Sequence, residues 1–243
     1  MRSARRPSPI VYAVLSGDII GSTALTVEQL ADVAKVIEGA FDDIRARCYG
    51  GVQGSPDFFR GDAWQVVLSD PSLALRASLL TRARLRSLLG IDSRISIGIG
   101  SVDRLVKARI SRSTGEAFTL SGRALDRMTS YFDLTGALPD RAGIMSAWFT
   151  LTLHLCSGLM RTWTRRQAEN VALALVLQDP KHEVIAQQLR PPVSKQTVTR
   201  SLASANWRPL LDALRTFEST NWGTFAGTAT ALAQDSQKRM SGQ

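Results

Sequence analysis

The chain has 243 residues, with 30 Lys and Arg against 21 Asp and Glu for a formal charge of +9, and 44% of its residues are hydrophobic. That length and balance suit a globular protein of one or two domains able to bury its own core, and no apolar run reaches the ~20 residues a membrane-spanning helix needs. Cys48, Cys156, His154 and His182 are too few for a disulfide framework or a Cys/His metal centre, so a metal here would be held mainly by carboxylates.

Residues 1–9 form a basic end with Arg2, Arg5 and Arg6, read as disordered. The apolar stretch behind it is too short for a secretory signal, and the expected location is the cytoplasm. Residues 11–15 then read as a buried strand stopping at Ser16-Gly17-Asp18. Thr26, three residues before Gln29, opens a helical pattern through Leu30, Val33, Ile37 and Phe41. Residues 52–59 and 64–68 read as two strands around the turn Arg60-Gly61-Asp62, and residues 72–89 as a helix closed by Gly90. Ile95, Ile97 and Ile99 alternate with Ser96, Gly98 and Gly100 in a strand signature, and residues 115–131 resume helical spacing. The expected fold is α+β, an antiparallel sheet with helices on one face.

Two acids stand out. Asp18 sits at the end of the first strand and Asp62 in the hairpin turn. If the hairpin lies beside that strand, their oxygens converge at one end of the sheet, and such a pair suits Mg²⁺ shared with substrate phosphates. Taken singly, each Gly-Asp reads first as an ordinary turn, and it is the two together that point to a metal.

Gly17-Asp18-Ile19-Ile20-Gly21-Ser22-Thr23 resembles the first metal motif of class III nucleotidyl cyclases, and Gly61-Asp62 resembles the second. The strand Arg94-Ile95-Ser96-Ile97-Gly98-Ile99-Gly100 is similar to the glycine-bearing strand of that family. The resemblance spans roughly residues 10–135 and implies a ferredoxin-like cyclase sandwich. It also implies two divalent cations, Mg²⁺ or Mn²⁺, on Asp18, Asp62 and the carbonyl of Ile19, with the amides of Ile20, Gly21, Ser22 and Thr23 facing phosphate. Arg127 matches the transition-state arginine of the family, and Arg123 stands where its Asn is expected. Arg141 is a loose candidate for the lysine that holds the triphosphate. Because that family splits its site between two subunits, the implied assembly is a homodimer with shared active sites.

At the base-reading positions stand Phe58 and Glu116. Phe58 donates no hydrogen bond and would narrow a base pocket, or else it points into the core. The pattern resembles the bacterial pyrimidine cyclases of Pycsar antiphage defence, which implies UTP or CTP as substrate ahead of ATP.

Beyond residue 136 strand-like alternation fades. The expected organisation is a cyclase-like domain over residues 10–140, a linker or helix over 141–160, an all-α helix-turn-helix-like region over 161–220 and a tail over 221–243. Ser194 caps a segment in which Ala186, Val198 and Leu202 fit packing positions, and Lys195, Gln196, Thr199 and Arg200 form a polar face. The tail resembles trihelical regulators, so DNA is an implied partner, with a protein-interaction module as the even alternative. The pairing of such a tail with a cyclase-like domain also resembles SatD-type proteins. The competing function is a nucleotide-sensing DNA-binding regulator that does not turn substrate over.

Overall fold

Alternation along the strands decides which residues meet. In the computed structural model, which describes residues 10–47, 50–59 and 61–227, the strands are β1 (Tyr12–Ile19), β2 (Val52–Phe59), β3 (Ala63–Leu68), β4 (Ser93–Gly100) and β5 (Leu134–Ala137). They form one sheet in the order β2-β3-β1-β4-β5, antiparallel throughout except for β5, which runs parallel to β4. The basic segment 1–9, Cys48 and Arg60 lie outside the described residues.

Ala13, Leu15, Trp64, Val66, Ile95, Ile97 and Ile99 all point to one face and are fully buried. Helices α1 (Val27–Arg47) and α2 (Ala74–Arg84) bring Val33, Ile37, Phe41, Leu75 and Leu79 to the same core. The start of α1 is the expected capping box: the Gln29 amide donates to Thr26 Oγ1 at 3.2 Å and the Thr26 amide to Gln29 Oε1 at 2.8 Å.

The opposite face is covered too, which corrects the expectation of helices on one face. Helix α3 (Glu116–Asp126) lies there, where Val14 and Val67 pack with Ile110 and Ala117. The cause is local. Gly98 lacks a side chain, and a Cβ in its place would come within 2.3 Å of the Ala117 carbonyl oxygen, so α3 rests directly on the strand backbone.

The expected linker is an 18-residue helix, α4 (Ile144–Arg161), packed along β5, with Phe149 and Leu153 against Gly136. After it come α5 (Arg165–Val176), α6 (His182–Gln188), α7 (Lys195–Ser204), α8 (Trp207–Ser219) and α9 (Trp222–Ala226). Their buried residues, including Leu175, Leu210 and Trp222, together with Trp163 of the α4–α5 connection, join the sheet core in one continuous cluster. Arg76 of α2 fastens the two parts, pairing with Glu218 at 2.6 Å and donating to the Leu175 carbonyl at 2.7 Å. The tail therefore shares its core with the sheet. No helix among the described residues is long and apolar enough to cross a membrane.

Candidate functional site

The register of β1 against β3 sets the site. Asp18 stands opposite Ala63, so Asp62, one residue before β3, lies at the same sheet end as Asp18. Gly61 supplies the left-handed conformation of the hairpin turn, with φ of 87°. Gly21 does the same at φ 73° in the turn after β1, which folds Ser22 back so that its hydroxyl donates to Asp62 Oδ2 at 2.5 Å. The backbone of Asp18 is fixed as well: its carbonyl accepts from Ser93 Oγ at 2.7 Å, and Ser93 Oγ accepts from the Trp64 indole at 3.0 Å.

Arg94 is the residue that sequence reasoning missed. It is the antiparallel partner of Asp18 on β4 and points to the same face. Its Nε donates to Asp18 Oδ1 at 2.8 Å and its Nη2 to Oδ2, a two-pronged ion pair. The charge of Asp18, together with those of Asp133 and Asp62, holds the guanidinium above its usual pKa, the Asp18 hydrogen bonds being the largest cause. Counting residues back from Gly100 along β4 could have placed Arg94 opposite Asp18, given the pairing.

The other expected residues divide into those near this end and those elsewhere. Ile19 ends β1 with its side chain in the core, leaving its carbonyl as the group available to a cation. Ile20, Gly21 and Thr23 are exposed at the mouth. They do not form a helix N-terminus, because a single 3₁₀ turn (Ser22–Ala24) intervenes before α1 begins at Val27, and the Ile20 amide already donates to the Asp92 carbonyl at 3.0 Å. The expected phosphate cradle is therefore reduced to the Gly21 turn.

Phe58 pairs with Trp64 and packs on the main core, the face opposite Asp18 and Arg94, so it does not narrow a pocket beside the acids. Glu116 sits beside Gly100, six residues along β4 from Arg94, or about 20 Å at strand spacing. There it pairs with Arg141, whose Nη1 donates to Glu116 Oε1 at 2.7 Å. Arg141 also donates to the carbonyls of Ala226, at 2.7 Å, and Gly227, so it is committed to holding α9 and is no triphosphate ligand in this arrangement.

Arg123 and Arg127 form no ion pair among the described residues. With Thr135, Asp140 and His154 they line a cleft of about 490 Å³ between α3, β5 and α4. One chain does not bring them into contact with Asp18 or Asp62.

The donor set suits a hard cation, since two carboxylates and a strand-end carbonyl are all oxygen. It does not suffice alone. No group of three or more Asp, Glu, His or Cys side chains converges among the described residues, and both Asp18 oxygens already face Arg94. A cation here would need oxygens from a substrate to fill its shell.

In the tail, Val198 and Leu202 are buried and Ser194 caps α7, its Oγ accepting from the Thr197 amide at 3.1 Å. The polar face is partly spent. Lys195 pairs with Glu183 at 2.6 Å and Thr199 meets His182 at 2.7 Å, both on α6, while Gln196 and Arg200 stay exposed.

Among solved structures, the chain is similar to the crystal structure of the guanylyl cyclase Cya2, at 19% identity and a TM-score of 0.35 over 54% of this chain and 77% of that one. No family model matches the chain. No curated protein matches it either.

Proposed function

We propose that this chain is a nucleotidyl cyclase that converts an NTP to a 3′,5′-cyclic nucleotide and pyrophosphate. The observation that carries the reading is the β1–β3 register, which sets Asp62 beside the end of β1 that bears Asp18, with Ser22 tying the turn between them. Two divalent cations, Mg²⁺ or Mn²⁺, held by Asp18, Asp62 and the Ile19 carbonyl, would supply Lewis acidity toward the ribose 3′-oxygen and the triphosphate.

In the reaction the 3′-oxygen forms a bond to the α-phosphorus and loses its proton to solvent. The bond from that phosphorus to the bridging oxygen breaks, and pyrophosphate leaves with the electron pair. Asp18 and Asp62 hold the acidic end of the site, and the Gly21 turn gives phosphate an approach free of side chains. Arg127 supplies positive charge for the transferring phosphoryl group and Arg123 contacts ribose or phosphate. Both come from a second copy, because within one chain they line a different cleft, and the active form is a homodimer with shared sites.

UTP and CTP stand ahead of ATP in this reading only through the sequence resemblance to the bacterial pyrimidine cyclases, since Phe58 turns away from the acids. By the same resemblance the product would act as a second messenger in bacterial antiphage defence. Incubation with all four NTPs and Mn²⁺, followed by mass spectrometry, tests both activity and base: a cyclic pyrimidine nucleotide is expected, lost in Asp18→Ala. Cyclic AMP as sole product removes the base preference, and no cyclic product removes the enzyme.

One observation favours a second reading, a nucleotide-sensing DNA-binding regulator without turnover: Asp18 is already neutralised by Arg94. Retarded DNA that responds to NTP, with no pyrophosphate released, would establish it. Such binding should weaken steeply with salt.

A further inference from the structure

Arg94 stands where a cation would stand. Its guanidinium takes both oxygens of Asp18 and lies within the field of Asp62 and Asp133. Asp133 has other partners, Arg82 at 3.1 Å and Arg161 at 3.6 Å, whereas Asp62 has Ser22. A guanidinium stays protonated at any working pH, so this occupancy is not relieved by titration. A divalent ion seeking Asp18 must therefore compete with a forked, charge-assisted pair.

The pair is nonetheless open to exchange. The Arg94 side chain is 39% exposed, and its Nη1 has no protein partner among the described residues. That free donor faces any phosphate oxygen that arrives, and phosphate accepts the same two-pronged geometry that carboxylate does. Transfer of the guanidinium from Asp18 to phosphate would release a carboxylate at the moment a polyanion arrives.

We propose that Arg94 is a built-in counter-ion that holds the place of a divalent cation at Asp18, and that the ion enters as a polyphosphate draws the guanidinium away. This rests on the cation site proposed above. Its consequence is strong coupling: the empty protein binds Mg²⁺ or Mn²⁺ weakly, and nucleotide and ion each raise the affinity of the other.

The experiment measures Mn²⁺ binding to the full chain by the electron paramagnetic resonance signal of the free ion. Arg94→Gln is expected to bind Mn²⁺ roughly tenfold or more tightly than wild type, within the usual range of coupling between sites. Asp62→Asn on that background should cancel the gain, and Arg94→Lys, which keeps charge without the fork, should give a smaller gain and carries the test if Arg94→Gln does not fold. With non-cleavable α,β-methylene-UTP, and Mn²⁺ bound by the free analogue subtracted, wild type should gain more Mn²⁺ affinity than Arg94→Gln. Equal, measurable affinity in wild type and Arg94→Gln overturns the counter-ion while leaving the cation site standing, as do equal gains with the analogue. No binding by any variant overturns the cation site and the counter-ion with it.

Discussion

Trp64 lies across the bare Cα of Gly17, its partner on the neighbouring strand, so closely that a Cβ there would meet the indole at 2.5 Å. The indole has nowhere to move, being fully buried and hydrogen-bonded to Ser93. Gly17→Ala should therefore cost about 1–3 kcal/mol by overpacking and displace the adjoining Asp18. Urea unfolding gives the stability loss, and pyrophosphate release under conditions where the variant is still folded should fall with it.

Shared sites make a sharp prediction. Asp62→Ala and Arg127→Ala should each abolish cyclisation alone, while a mixture of the two chains recovers about a quarter of wild-type activity per total protein, since random pairing leaves one intact site in half of the dimers. A steady-state pyrophosphate assay after mixing checks this. A mixture as silent as its two components would mean that both residues act within one chain, and activity kept by Arg127→Ala alone would mean that Arg127 is not used.

Arg82 is completely buried beneath the sheet end, held by Asp92 at 2.8 and 2.7 Å and by Asp133 at 3.1 Å. Removing Arg82 leaves the two largely buried carboxylates with only the longer pairs to Arg86, at 3.2 Å from Asp92, and Arg161, at 3.6 Å from Asp133. Arg82→Met should cost ~3 kcal/mol or more, read by chemical denaturation. It should also loosen Ser93 and Arg94, which follow Asp92 directly.

His154 stacks on Phe132 at 3.7 Å and meets Thr135 Oγ1 at 3.0 Å, and its burial pushes the imidazole pKa below 6.5. The unfolded chain then binds more protons than the folded one as pH falls through about 6.5. The stability contributed by neutral His154 is thus present above that value and lost progressively below it. His154→Gln should flatten the fall in thermal midpoint between about pH 7 and pH 5.

Much of the sheet was legible because its rules are local. The alternation at Ile95, Ile97 and Ile99, the Thr26 cap and the turn glycines each name an element without reference to the rest. β5 was not legible: its four residues include Gly136 and Ala137, too few and too small to show a period. Nor was the position of α3 on the second face, which depends on what Gly98 lacks. Arg94 escaped for a different reason. On a strand read alone it is a flanking charge, and only the register opposite Asp18 makes it part of the site. Phe58 shows the same limit, since the parity that turns it from the acids is fixed by its pairing with Trp64.

The hydrophobic seam joining the sheet to helices α4–α9 has an evolutionary reading. A gene fragment ending near residue 140 would encode a half-shell with a bare underside, so the acid-bearing part could not be shuffled as a free cassette into other architectures. Insertions should instead be tolerated in the exposed turn at Arg190, Pro191 and Pro192, between α6 and α7, where the polypeptide leaves the seam and meets solvent.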